Sequence, residues 1–282
     1  MKHTTLIRLI LFGVFTSITA HADDNKTLPS VASLDYCADQ YILALANDHQ
    51  IKALSPEARM SHSFYRVRAM DKPLFKATTE DVLLLKPDMV LRSWNGTPQT
   101  LNMIKEHGIP VHTVTYGEDI NSFFNTMLTF GTLLNQTARA QALVEDYRKR
   151  LSNLKNAPKL NLTATYITSF GFTAGTDTYI NEIIELAGLK TTAQTAGIKQ
   201  WQALPLEQFL INPPDVIIGG FFDAEDPTPS NWSFMRHPQF AKKFEDIPTI
   251  MVSGGLLSCG GTFLIDAAEY IRAKAGEIID EE

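Results

Sequence analysis

A single amphipathic helix near the middle of the chain, Gln136 to Leu154, leaves roughly half of the 282 residues on each side. Ala140, Leu143, Tyr147, Leu151 and Leu154 recur at helical spacing, while Arg139, Glu145, Asp146, Arg148, Lys149 and Arg150 fill positions between them. Pro158 ends the run. At about 1.5 Å per residue such a helix is roughly 28 Å long, enough to act as a strut from one domain to another.

The stretches flanking this helix share a pattern. Glu80 to Leu85 is a short apolar helical turn followed by Lys86, Pro87-Asp88 and the apolar run Met89-Val90-Leu91. Glu207 to Ile211 is followed by Asn212, Pro213-Pro214-Asp215 and Val216-Ile217-Ile218, with Glu and Asp eight positions apart in both cases. Two similar half-structures would produce this. Helix, Pro-Asp turn and strand is also a common α/β connection, so both readings stand.

The amino terminus has the form of a secretory signal peptide. Lys2 and Arg8 precede an apolar run from Leu9 to Ile18, and Ala20-His21-Ala22 supplies a small-x-small cleavage site. The run is too short to span a bilayer. No cysteine follows the cleavage site, so no lipid anchor of the bacterial lipoprotein kind is expected, and in a bacterium with two membranes the mature chain belongs in the periplasm. Removing residues 1–22 takes away two positive charges and leaves 23 basic against 31 acidic side chains. That excess of acid argues against nucleic acid or an anionic membrane surface as partner. The remaining 260 residues allow two domains, each with its own core.

Strand and helix patterns alternate through the first half. Val31 to Leu34, Gln50 to Leu54, Met89 to Arg92 and Val111 to Val114 read as strands, and Tyr36 to Ala46, Gln99 to His107 and Asp119 to Leu134 as helices. Ser55 to Phe75 is irregular and too long for a simple connector. In the second half Leu162 to Ile167, Val216 to Ile218 and Thr249 to Val252 read as strands, with helices at Tyr179 to Ala187 and Leu264 to Ala275. The fold class expected is α/β, two lobes with mainly parallel sheets flanked by helices.

Cys37 and Cys259 each follow a strand, near the sheet edge where α/β proteins bind ligands. In an oxidising compartment they either bond to each other or stand as two separate thiols. A catalytic reading makes Cys259 a nucleophile with His237 or His112 as its base in a secreted cysteine or zinc hydrolase, but no local signature surrounds it. Asp35 and Asp39 fit helix capping and dipole complementation better than an acid/base pair. Gly254-Gly255 and Gly260-Gly261 lack the Gly-Lys-Ser/Thr of a phosphate loop. Direct capture of zinc or manganese is a further alternative, yet His49, His62, His107, His112 and His237 are scattered without ligand spacing. No metal ligand and no cofactor is assigned.

Leu34-Asp35-Tyr36-Cys37-Ala38-Asp39-Gln40, Glu80 through Asp88, Gly175 through Gly188 and Glu207 through Asp215 together resemble the periplasmic binding proteins for cobalamin and ferric siderophores. The resemblance runs from about Leu28 to Ala275 and rests on the order and spacing of these motifs. It departs at Lys76-Ala77-Thr78-Thr79, where relatives often carry a Gly and an Asn-Leu before the glutamate. It implies two α/β lobes joined by one long backbone helix, and service to an ATP-binding-cassette (ABC) importer. The expected organisation is a signal peptide at 1–22, an N-terminal lobe at 23–135, the connecting helix at 136–157 and a C-terminal lobe at 158–282. In that family a glutamate on each lobe pairs with arginines of the permease dimer, which places Glu80 and Glu207 at the docking surface.

Aromatic and basic side chains concentrate after strands: Tyr65, Arg66 and Arg68 in the long first loop, Trp94, Tyr116, Phe170, Phe172, Trp201, Phe221, Phe222 and Trp232. Rigid rings give a bulky ligand large contact area, and arginine can pair with an anionic chelate. The chain is therefore expected to be a monomeric binding protein, not an enzyme. It would capture a bulky metal chelate between its lobes, a ferric siderophore first and cobalamin or haem as alternatives, and deliver it to the permease.

Overall fold

The computed structural model describes residues 28–114, 119–221 and 238–281, so the signal segment at 1–22 lies outside the described residues. The first lobe is built from β1 (Val31–Ser33), α1 (Tyr36–Leu45), β2 (Ile51–Ala53), α2 (Arg66–Ala69), α3 (Thr79–Leu85), β3 (Met89–Arg92), α4 (Pro98–Glu106), β4 (Val111–Thr113) and α5 (Ile120–Leu133). Helix α6 (Thr137–Asn156) follows. The second lobe contains β5 (Thr163–Thr168), β6 (Phe172–Thr173), α7 (Tyr179–Leu186), β7 (Lys190–Thr191), α8 (Thr192–Ala196), β8 (Gln202–Ala203), α9 (Leu206–Ile211), β9 (Val216–Phe221), α10 (Pro238–Glu245), β10 (Thr249–Ser253), α11 (Gly254–Leu257) and α12 (Leu264–Glu281).

Local chemistry fixes the helix ends. Asp35, Thr78, Thr97, Asp119 and Thr178 each accept a first-turn amide hydrogen at the start of a helix. Gly188, at φ +95°, permits the left-handed step that turns the chain after α7. Helix α6 runs two residues beyond the expected end and buries Ala140, Val144, Tyr147, Leu151 and Leu154, with Leu143 at the edge of that face. Strands β6, β7 and β8, two residues each, carry no periodicity and went unread in the sequence.

The two sheets are the same object drawn twice. Their orders are β2-β1-β3-β4 and, read from the opposite edge, β7-β5-β9-β10, all parallel. The aspartates of the two Pro-Asp turns make matching bonds. Asp88 Oδ2 accepts from the Ser30 amide and hydroxyl, both at 2.7 Å, while its own amide donates to Ser30 Oγ at 3.1 Å. Asp215 does the same with Thr163 at 2.7, 2.7 and 3.1 Å. Two similar halves, rather than ordinary α/β punctuation, account for the shared pattern. Each aspartate clips together the starts of the two inner strands of its sheet.

The expectation of one separate core per lobe is corrected. A continuous apolar cluster runs from Tyr41 and Phe123 in the first lobe through Tyr147 and Leu151 of α6 to Ile183, Ile218 and Ile271 in the second. Among the described residues, smaller separate clusters form around Val82, Val90 and Ile104 in one lobe, around Phe209, Ile217 and Phe240 in the other, and around Cys37, Cys259 and Phe263 between them. Helix α6 is joined to α12 by Arg150, which pairs with Asp266 at 2.7 Å and with Glu269, and by Tyr147, which donates to Asp266 at 3.2 Å.

A second tie crosses between the lobes. Cys37 and Cys259 form a disulfide with their Cα atoms 5.4 Å apart. Around it the Tyr41 hydroxyl donates to Gly260 O at 3.1 Å, Ser258 Oγ donates to His62 O at 2.7 Å, and Phe64 stacks on Phe263 at 4.7 Å between centroids. Gly260 is required for this approach, since a Cβ there would lie 2.2 Å from the Phe123 ring. On the other flank, the Ile120 amide donates to Glu182 Oε2 at 3.0 Å.

The disulfide closes a sequence separation of 222 residues, a long loop to constrain in the unfolded chain. The Cys37→Ser/Cys259→Ser protein is expected to lose up to about 5 kcal/mol of unfolding free energy in the chain-entropy picture. Denaturant titration of the two proteins side by side measures this, and equal unfolding free energies would contradict it.

Candidate functional site

In parallel α/β sheets the ligand edge is the one where the strands end. At that edge of the first lobe, Tyr36 follows β1, His62 lies in the loop after β2, and Trp94 follows β3. The Tyr36 ring meets His62 edge-on at 4.6 Å and Trp94 at 6.0 Å between centroids. Trp94 is 49% exposed. Tyr36 and His62 were not among the residues singled out as ligand contacts, although Tyr36 stands inside the motif already quoted.

This edge is held by α1. Asp35 is fully buried; one carboxylate oxygen accepts from the Ala38 amide at 3.0 Å and caps the helix. The other accepts from the amides of Ser93, Trp94 and Asn95 at 2.6, 3.1 and 3.2 Å. A carboxylate ringed by backbone N–H groups is a strong acceptor, and here it fixes the loop that carries Trp94. One turn on, the Gln40 side-chain amide donates to Tyr36 O and Ser63 Oγ at 2.7 and 2.9 Å, and its oxygen accepts from the Tyr65 amide at 3.0 Å. Asp39, also buried, accepts from the Ser55 amide and hydroxyl at 3.1 and 2.6 Å. Burial outweighs these bonds and pushes its carboxyl up to about 7.

The second lobe presents rings at the corresponding edge. Phe170 follows β5 and is 77% exposed, Phe172 lies on β6, and Trp201 precedes β8 with its edge against the buried Tyr166 ring at 5.7 Å. These large apolar faces meet solvent. Tyr116, Phe222 and Trp232 lie outside the described residues, as does His237, and of Phe221 only the backbone, at the end of β9, is described.

The cluster Tyr65, Arg66, Arg68 does not share one direction. Tyr65 is half-buried, close to Tyr147 and Asp266, and burial first and Asp266 second raise its phenol above the usual range. Arg68 donates to the carbonyl oxygens of Leu43 and, at 2.9 Å, Ala46, and faces Asp48 at 3.9 Å, so it caps the carboxyl end of α1. Arg66 is exposed and makes no ion pair among the described residues.

Other sequence readings can be placed. The Cys259 sulfur is bonded to Cys37, so the thiolate that a cysteine hydrolase needs does not exist, and that alternative is withdrawn. His107 caps its own helix through Met103 O at 2.8 Å, and His112 lies on β4. Glu80 and Glu207 are both exposed and stand in the first turns of α3 and α9. Each helix runs back from the ligand edge to a Pro-Asp turn, so both carboxylates lie toward that edge, one per lobe.

Comparison with known proteins gives concordant results. The family model for periplasmic binding proteins matches residues 31–242. A vitamin B12-binding protein of Pectobacterium atrosepticum is 26% identical over 212 residues, 71% of this chain and 71% of that protein. A cobalamin-binding protein of Halobacterium salinarum is 27% identical over 150 residues, 51% of this chain and 41% of its own length. Among solved structures, a periplasmic binding protein from Veillonella parvula has a TM-score of 0.71 at 17% identity, covering 88% of this chain and 92% of that one. A periplasmic haem-binding protein of Vibrio cholerae has a TM-score of 0.71 at 18% identity, covering 87% and 98%.

The Asp39 carboxyl has a measurable signature. Its ordinary value is 3.8 and its folded value about 7, so between these only the folded chain holds the proton. Stability therefore falls as pH rises through that window, by on the order of 4 kcal/mol at most. Asp39→Asn keeps an acceptor for the Ser55 amide and removes the titration. Thermal unfolding from pH 4 to 8 should show the wild type losing stability relative to the variant as pH rises. Parallel profiles would contradict the assignment.

Proposed function

Because the chain belongs to the periplasmic binding protein family, we infer that it captures a bulky ring-shaped metal chelate of the corrinoid class between its lobes and delivers it to an ABC importer. The observation that carries this reading is the pair of aromatic edges, with Tyr36 and Trp94 on one lobe and Phe170, Phe172 and Trp201 on the other. A large, largely neutral macrocycle gains contact area from such rings without needing a counter-charge. The cobalamin-binding names of the sequence relatives favour a corrinoid. A ferric siderophore is the second reading, supported by the exposed Arg66, which makes no ion pair among the described residues, and haem shares the same ring-stacking chemistry.

Fluorescence titration with cyanocobalamin, a ferric catecholate and haem separates these ligands. Trp94→Ala should weaken cyanocobalamin by about 1 to 3 kcal/mol, the range for truncating a ring at the centre of a binding surface, while Arg66→Ala leaves it unchanged. A ferric catecholate that binds more tightly than cyanocobalamin and depends on Arg66 would replace the corrinoid reading. No saturable binding of any chelate would remove both.

Delivery needs a partner, and Glu80 and Glu207 occupy equivalent places on the two halves. Two equivalent carboxylates suit a two-fold symmetric permease presenting basic pockets. Arrival in the periplasm follows from the leader at residues 1–22. Glu80→Arg/Glu207→Arg should fold and bind ligand as the wild type does, yet abolish uptake through the cognate importer. Normal uptake with the well-folded double variant would rule out docking through these residues.

A further inference from the structure

We infer that the second lobe carries a separate binding site for a small neutral polyol, behind the β6–β8 ribbon and distinct from the interlobe site. A cavity of about 280 Å³ lies between β5, α8 and α9, just under the usual range of roughly 300 Å³ upward for small-molecule pockets. Its floor is the face of β5 that bears Thr163 and Thr165. Ile167, two residues further along the same face, belongs to the apolar cluster with Phe209, Ile217 and Phe240. Strands of a parallel sheet covered on both faces are normally apolar throughout. Here the face changes from isoleucine to threonine where the cavity opens.

The lining alternates hydroxyl and amide groups with apolar surface from Ala196, Ile198, Leu204, Pro205, Phe209 and Pro213. Thr173 from β6 and Thr192 and Thr195 from α8 join Thr163 and Thr165, and Gln208 and Asn212 of the α9 segment add amides. None of the lining residues is charged. Threonine offers a hydroxyl and a methyl side by side, which matches a molecule that alternates C–H and O–H groups. An ionic ligand would find no counter-charge and would lose its hydration without compensation.

Capacity for hydrogen bonding remains. Thr165 and Thr192 bond to each other at 2.6 Å, and Thr163 is engaged by Asp215. Thr173 is only 3% exposed and lines the cavity, yet its hydroxyl has no hydrogen-bond partner among the described residues. Its hydroxyl is not sealed in the protein but opens onto the cavity, where a ligand oxygen can reach it. The ribbon separates this space from the ligand edge: Thr173 turns inward to the cavity, while its neighbour Phe172 is exposed.

The test uses the full mature protein with isotope-labelled threonine methyl groups, titrated with glucose and sorbitol, with glucuronate and glucosamine as charged controls. Neutral polyols should shift the Thr165, Thr173 and Thr192 methyl resonances saturably, and the charged sugars should not. Thr173→Val, isosteric but without the hydroxyl, should weaken binding roughly tenfold, as loss of one hydrogen bond predicts. Gln208→Ala, at an exposed position that does not endanger folding, should also weaken it. Trp94→Ala at the interlobe site should leave it unchanged. Shifts that fail to saturate would show a cavity filled with water alone and overturn the proposal. So would equal binding of glucuronate, affinity indifferent to Thr173→Val and Gln208→Ala, or loss of binding in Trp94→Ala.

Discussion

The carboxylate of Asp35 has no exposure to water, and both its oxygens are committed to backbone amides, one to α1 and one to the loop after β3. An unpaired buried carboxylate would be costly, so the loop must come to it, and the positions of Ser93, Trp94 and Asn95 follow from that requirement. Five of the next six residues are committed as well. Tyr36 carries the ring at the mouth, Cys37 bonds the other lobe, Asp39 and Gln40 hold the long loop, and Tyr41 reaches Gly260. A helix of ten residues thereby positions three loops and one neighbouring lobe.

A repeated sheet plan explains the economy of the remainder. Each lobe is a four-stranded parallel sheet whose central strand is clipped to its neighbour by an aspartate after proline. What differs is the covering. The inward faces of both sheets and the apolar face of α6 merge into one core, so relative rotation of the lobes would open apolar contacts at about 25 cal/mol for each Å² exposed. With the disulfide on one flank and the Glu182 contact on another, the spacing between the two aromatic edges is set largely before a ligand arrives. Preorganisation of that kind reduces the ordering cost of binding a rigid, ring-shaped molecule.

Much of this was legible in the chain because the signals were local. Capping residues, Pro-Asp turns and the 3.6-residue period of α6 are short-range chemistry, and they placed the main strands and helices within a few residues. The two-residue strands β6, β7 and β8 have no period to read. Direction was the harder matter. Tyr65, Arg66 and Arg68 lie within four residues, but a helical turn sends the first toward Tyr147, leaves the second in solvent and folds the third back onto the end of α1. Whether Cys37 and Cys259 meet depends on how the lobes pack, which no spacing encodes. His62 sits in an irregular loop whose course is decided by Gln40 and Ser258, from opposite ends of the sequence.

The covalent map holds a consequence for the fate of the protein outside the cytoplasm. Since Cys37 and Cys259 enclose nearly all of the two lobes, peptide hydrolysis at any single loop between them separates no fragment from the rest. The two pieces stay joined through sulfur, with α6 or the shared apolar core holding them in register. A nicked molecule thus keeps both halves at the same effective concentration as the intact one, and proteolytic wear in an enzyme-rich compartment does not by itself scatter the lobes. Only cleavage coupled to reduction would do so.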